Sequence, residues 1–488
     1  MHRSDENRAG ETAAPEAAGA LRTRWGGPGG YREVLRVGLP LIVSMSSVTL
    51  MQFTDRMFLS NYSVEAIAAA TPAGVAHFLA ACFFMGLIEY TNVIVARFDG
   101  MARPERVGSA LWQGLWCCVP AGLVLVALIP LGDTLFRWAG HAPAIRPLEA
   151  EYFRILCGGT WLMLAQVAMS CFFSGRGLTK PVMIVNLVGT AANIPLDYAL
   201  INGLWGMPEL GIGGAAIATV FAWGLETVLF ALIIFTRHHE WRYRVRSAWR
   251  PDPRLLGRLV RFGGPSGAQF FIDMFAISVF IVLIGRIGLT EQAASNMVFA
   301  INTLAYLPVV GLSIAASILV GNAAAQGDPA RGDRAASSAM HIGVLWMVAM
   351  AALFVGIPGT LLDLFRPRAM PVAEFAELVR IGTTLLRFVA LYSLFDAVAI
   401  TYFGALRGGG DTRYVMLVMG AASVCCIVVP VFLAVQIFHS GLLVPFLCLT
   451  VYIVLLAGLF RRRFRRGCWK SISVVEDLEG SDGAAPRS

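Results

Sequence analysis

The chain has 488 residues, 57% apolar and only 14% charged, with a mean hydropathy of +0.67 and a formal net charge of +8. A charged share about half that of an average soluble domain rules against a soluble globular class and leaves a polytopic membrane protein, with room for about twelve spans. The only lysines are Lys180 and Lys470, and neither follows a glycine, so there is no phosphate-binding G-x-x-x-x-G-K-[ST] loop to support ATP hydrolysis.

Residues 1–32 are polar, carry Asp5, Glu6, Glu11 and Glu16 among arginines, and lack the apolar core of a signal peptide, so they read as a cytoplasmic tail. Apolar runs follow near 33–60, 66–96, 106–136, 149–174, 181–202 and 211–235. These form an amino-terminal six-helix lobe, 33–236. A polar, arginine-rich linker at 237–254 separates them from runs near 255–285, 291–325, 335–365, 376–406, 413–437 and 441–460, a carboxy-terminal lobe at 255–460. Residues 461–488 read as a cytoplasmic tail, first basic and then acidic. The expected fold is all-α, with about twelve transmembrane helices in two lobes.

Basic residues cluster in the tails and the even-numbered connections, as in Arg97, Arg103 and Arg106, the linker arginines from Arg237 to Arg261, and the run Arg461 to Arg466. The odd-numbered connections hold only Arg137, Arg146, Arg286, Arg366 and Arg368. This bias places both termini in the cytoplasm and explains the positive charge without a nucleic-acid partner. Eight of the nine cysteines fall in apolar segments without a C-x-x-C pair, so they read as small core residues and no metal cofactor is expected.

The lobes repeat one another. Arg103, Glu105 and Arg106 match Arg331, Asp333 and Arg334 at an offset of 228, and Thr179-Lys180 matches Thr412-Arg413 at 233. Copies with an even number of helices keep one orientation. The relation is therefore a pseudo-two-fold axis along the membrane normal, with substrate expected between the lobes near the midplane.

Ionisable groups at membrane depth are costly and mark function. Six acids qualify: Asp55, Glu89, Asp197, Glu226, Asp273 and Asp396. Glu89 and Glu226 are expected to be structural. Asn193 and Asp197 stand one turn apart on helix five, with Pro195 between them freeing a backbone carbonyl. With Thr219 and Asp55 they offer four hard oxygen ligands, suited to Na⁺ or, on a protonated carboxylate, to H⁺. Arg56, next to Asp55, points about 100° around the helix and has Glu89 or Asp197 as possible partners.

Gln52-Phe53-Thr54-Asp55, Asn193-Ile194-Pro195-Leu196-Asp197-Tyr198, Pro208-Glu209-Leu210-Gly211-Ile212-Gly213-Gly214, the helix-seven acid Asp273, and Phe395-Asp396-Ala397 followed by Ala405-Leu406-Arg407-Gly408 occur in that order. In this set the chain resembles the multidrug and toxic compound extrusion (MATE) family of secondary transporters, over roughly residues 33 to 460. The resemblance implies a two-lobed antiporter exchanging Na⁺ or H⁺ for amphipathic, often cationic compounds. It implies an amino-lobe cation site of Asp55, Asn193, Asp197 and Thr219, and carboxy-lobe coupling acids Asp273 and Asp396. Two features depart from the family: Ser295-Asn296 replaces a His-Gln pair in helix eight, and helix eleven has no Asn/Asp pair to mirror helix five. Gln52, Phe53, Phe271 and Asn296 are candidate cleft residues for substrate.

The expected protein is a monomeric transporter in a bacterial inner membrane, with a small-molecule substrate and the bilayer as its partners. The alternative is a lipid-linked saccharide flippase of the same superfamily. That function calls for a more basic cavity than Arg56 and Arg387 provide. An intramembrane enzyme is disfavoured, because no D-D-x-x-D, H-E-x-x-H or G-x-S-x-G constellation lies in an apolar segment.

Overall fold

The computed structural model describes residues 24–366 and 372–476, and among these there is no β-strand. Twelve helices are long and apolar enough to span a bilayer. They are α1 (Tyr31–Tyr62), α2 (Val64–Gly100), α3 (Pro104–Ala127), α4 (Arg146–Ser174), α5 (Thr179–Asn202) and α6 (Ile212–Ile234), followed by α7 (Pro253–Gly285), α8 (Leu289–Ala325), α9 (Pro329–Gly356), α10 (Val372–Gly409), α11 (Thr412–Gln436) and α12 (Leu443–Arg465).

Some apolar runs do not continue as one helix. The run 106–136 ends α3 at Ala127, where Pro130 cannot donate a backbone bond, and resumes as the short helix Gly132–Trp138. The run 335–365 stops at Gly356, and Pro358 opens a separate turn, Pro358–Asp363. Helix α2 is broken at Tyr90, and α11 contains a π-helical stretch, Ser423–Val428.

Packing repeats with a shift of six helices. Helix α1 lies on α5 as α7 lies on α11, α2 on α4 as α8 on α10, and α4 on α6 as α10 on α12. Between the lobes, α1 meets α8 and α2 meets α7, as a pseudo-two-fold axis between them requires.

The α2–α7 crossing is made by small residues. A side chain on Gly267 would meet the Phe83 carbonyl, and one on Gly86 would come within 2.9 Å of the Gly267 Cα. Gly263 and Gly267 are one turn apart, so they present a small-xxx-small face on which the helix backbones touch.

The apolar clusters that join the lobes lie toward one face. Val34, Val37 and Leu41 at the start of α1 pack with Leu312, Ala315 and Leu319 of α8 and Ala335 of α9. Farther along α1, Leu59 packs only with its own lobe, on Ala66, Ile201 and Ala215. The closed half is the arginine-rich face, where both ends of the described chain also lie.

The linker is anchored rather than loose. Trp112 and Trp116 of α3 donate to the carbonyls of Val245 and Trp249, at 2.6 and 2.9 Å. Asp252 caps the first turn of α7 by accepting from Arg254 N and Leu255 N.

Candidate functional site

The amino-lobe site stands on two parallel helices held in register. Thr179 Oγ1 donates to the Val37 carbonyl at 2.9 Å, and Asn186 Nδ2 donates to Ser44 Oγ at 2.6 Å. Both rungs have a sequence separation of 142, and so does the pair Asp55 and Asp197. Two rungs with proper donors thus bring the third pair face to face, with its side chains within hydrogen-bonding reach. Helix α6 reaches this pair because Gly214 leaves no gap to α5: a Cβ there would lie 2.6 Å from the Leu200 carbonyl. The turn before it is fixed by Leu210 N donating to Leu200 O at 2.9 Å and by Tyr62 donating to Glu209 at 2.9 Å.

Asn193 and Asp197 are fully buried, and Asp55 and Thr219 nearly so. The one hydroxyl bond within the set is long, Thr219 Oγ1 donating to Asp55 Oδ2 at 3.5 Å. Asp55 Oδ1, both Asp197 oxygens and both polar atoms of the Asn193 amide have no hydrogen-bond partner in the protein.

A buried ion costs several kcal/mol unless compensated, whereas a hydroxyl bond returns about 1 kcal/mol. Two carboxylates are acceptors only, so their approach requires a shared proton or a cation between them. The donor set is all oxygen apart from the Asn193 nitrogen. Among the described residues, no group of three or more His, Cys, Asp or Glu gathers as a metal site. The residues therefore fit a hard monovalent ion or a proton.

Two neighbours were not placed at this site by the sequence reading. Tyr152 of α4 lies in electrostatic range of both carboxylates. Glu226, a buried α6 acid, packs its carboxyl over Gly189, one turn from Asn193 on α5. The repeated separation of 142 between polar residues of helices one and five was the available signal for this register.

Arg56 is exposed and pairs with neither Glu89 nor Asp197. Glu89 instead accepts two bonds from Arg407 of α10, each 3.2 Å, making an ion pair between the lobes.

The carboxy-lobe acids also converge. Asp273 and Asp396 are electrostatic neighbours. The Tyr452 hydroxyl of α12 is within hydrogen-bonding reach of Asp273, and Tyr306 of α8 lies in range of both acids. Ser423 donates to Tyr452 at 3.3 Å from the first residue of the π-helical stretch in α11. That local widening supplies a hydroxyl where helix five of the other lobe supplies an amide and an acid.

The proposed cleft residues lie on three helices, α1, α7 and α8. Phe53 is 64% exposed and two residues from Asp55, so it points away from the ion site. Gln52 is exposed on the same helix. Phe271 stacks on Phe275 with centroids 6.0 Å apart. Asn296 is exposed, ten residues and hence about 15 Å along α8 from Tyr306.

A model of the MatE family matches residues 40–199 and 265–432, one stretch in each lobe. The chain belongs to the MatE family. Each lobe of this MatE protein matches separately, in agreement with the repeated packing. Its relatives include the probable multidrug resistance protein NorM of Bradyrhizobium diazoefficiens, 29% identical over 418 residues, which are 84% of this chain and 88% of that one. Among solved structures, a MOP superfamily transporter from Pyrococcus furiosus, described as having a binding pocket of reverse polarity, matches with a TM-score of 0.82 at 19% identity. The match covers 91% of this chain and 97% of that one. An outward-facing multidrug resistance MATE transporter matches with a TM-score of 0.81 at 19% identity over the same shares. The MatE fold is thus the one in which the two buried acid clusters, one per lobe, are set.

Proposed function

We propose that the chain is a cation-coupled antiporter, and not an enzyme, that exports amphipathic, often cationic drugs or metabolites in exchange for Na⁺ or H⁺. It acts as a monomer in a bacterial inner membrane, with the arginine-rich face and both termini in the cytoplasm. The observation that carries this reading is the Asp55–Asp197 pair, buried side by side with no protein donor between them. An ion or proton entering there neutralises the pair and stabilises one packing of α1 against α5 and α6. When the ion leaves, that packing is disfavoured, and the lobes rock to the alternative state. Exchange requires only that ion and substrate favour different states. The resemblance to multidrug transporters supports the substrate class, and the oxygen-rich donor set supports the ion class.

The test is export of ethidium or norfloxacin from proteoliposomes under a Na⁺ gradient and, separately, a pH gradient. Asp55→Asn and Asp396→Asn are expected to remove gradient-driven export while leaving the folded yield unchanged. Near-normal export by both variants would sink the assignment. Gradient-independent flipping of a lipid-linked saccharide would replace it with the flippase alternative.

A further inference from the structure

After α12 the chain turns at Gly467 and enters a short 3₁₀ helix, Cys468–Ser471. Trp469 is fully buried there, stacked on Phe464 with centroids 5.2 Å apart and planes 9° apart. Its ring fills the space over Gly332 of α9, where a Cβ would come within 2.7 Å of it. Lys470 pairs with Asp333 at 2.7 Å. This anchor belongs wholly to the carboxy lobe.

A few residues later the chain has crossed to the amino lobe. Val474 and Val475 are fully buried in a cluster with Phe98, Val107, Tyr243 and Val245. Glu476 accepts from Arg97 of α2 at 2.6 Å and closes its own turn by accepting from Val474 N and Val475 N. Arg97 is only 2% exposed, and its other amino group donates to the Gly408 carbonyl of α10 at 3.2 Å. One buried guanidinium therefore joins the amino lobe, the carboxy lobe and the terminal segment.

The other end of the chain makes the reciprocal crossing. Arg24 donates to Ser337 of α9 at 2.8 Å, Ser338 donates to the Gly29 carbonyl at 2.9 Å, and Glu33 pairs with Arg331 at 2.7 Å. Between its anchors the carboxy-terminal segment is partly exposed, with Ile472 seated over Gly410 just after α10. Ser471, Ile472 and Ser473 border a cavity of about 450 Å³ that also touches Arg261 and Arg413. A segment held at its two ends can let go at one of them without unfolding the other.

We propose that residues 469–476 form a latch across the lobe seam. It is hinged on Trp469 in the carboxy lobe and releases Val474, Val475 and Glu476 from the amino lobe when the arginine-rich face opens. The latch stabilises the state closed on that face, so it sets how often the inward-open state of the proposed antiport cycle is visited. It rests on the alternating-access reading for its role, but its existence can be tested without substrate or ion gradient.

The test is hydrogen–deuterium exchange on the full-length protein in detergent or nanodiscs, comparing wild type with Val475→Asp and with Glu476→Gln. Both variants keep Trp469 and the twelve helices. Amide exchange in residues 93–100 of α2 and 405–411 at the end of α10 is expected to rise on the order of tenfold in Val475→Asp and less in Glu476→Gln. Exchange around the Trp469 anchor, in residues 460–466 at the end of α12, should stay unchanged. Unchanged exchange at the seam in both variants overturns the latch, as does an equal rise throughout the molecule. Since this readout involves no transport, failure of the latch and failure of the antiport reading are distinguishable.

Discussion

Asp55, Asn193, Asp197 and Thr219 occupy four positions on three helices, yet only one bond of 3.5 Å links them within the protein. Their polarity is directed at something other than one another. If Thr219 is an ion ligand, Thr219→Val, which keeps the shape and removes the oxygen, should weaken Na⁺ binding about fivefold, while Thr219→Ser should keep it. Na⁺-dependent thermal stabilisation of the purified protein measures both. Equal melting shifts for Val and Ser variants would place the hydroxyl outside the site. Glu89 behaves differently. Its carboxylate already has a guanidinium from the other lobe, so Glu89→Gln should leave ion binding unchanged and loosen the seam. The sequence reading expected a structural role for it and offered Arg56 as a possible partner; its actual partner, Arg407, lies 318 residues away.

At the scale of the helix, the α2–α7 crossing brings the backbones of the two lobes into contact. The Gly267 Cα faces the Phe83 carbonyl with no room for a methyl group. Gly267→Val should force the helices apart and cost about 1–3 kcal/mol, read as a lower midpoint in SDS-induced unfolding. The same change at Gly257, whose surroundings are open, should have little effect and serves as the control. In α11 the sequence reading noted the missing Asn/Asp pair but could not anticipate what stands in its place. The π-helical stretch turns Ser423 toward Tyr452, and hydropathy does not encode the pitch of one helical turn. Likewise, the apolar runs around Pro130 and Pro358 read as continuous because periodicity is insensitive to where a chain leaves one axis for another.

At the scale of the molecule, the face that carries both ends of the described chain is held by apolar packing, by the Glu89–Arg407 pair and by residues 24–33 and 469–476. Burial alone would raise the Glu476 carboxyl, but the Arg97 guanidinium and the amides of its own turn hold it below the ordinary glutamate value. A carboxylate lowered on folding contributes fully above its unfolded pKa and loses that contribution only as the pH falls through the folded value. The Glu476 contact should therefore persist between about pH 6 and 8, and exchange at the seam, corrected for the intrinsic rate, should be flat over that range. A strong pH dependence there would point to a different titrating group. Much of this protein was settled by its sequence. Twelve spans and two related lobes follow from hydropathy and repetition, and the acids at membrane depth can be picked out of the apolar runs, because these are local or periodic properties of the chain. The tertiary structure alone decided which other partners the acids have: Arg407 on Glu89, Tyr452 beside Asp273, and Glu476 on Arg97. Those pairings join residues more than a hundred positions apart, and the register between packed helices, which no single segment carries, determines them.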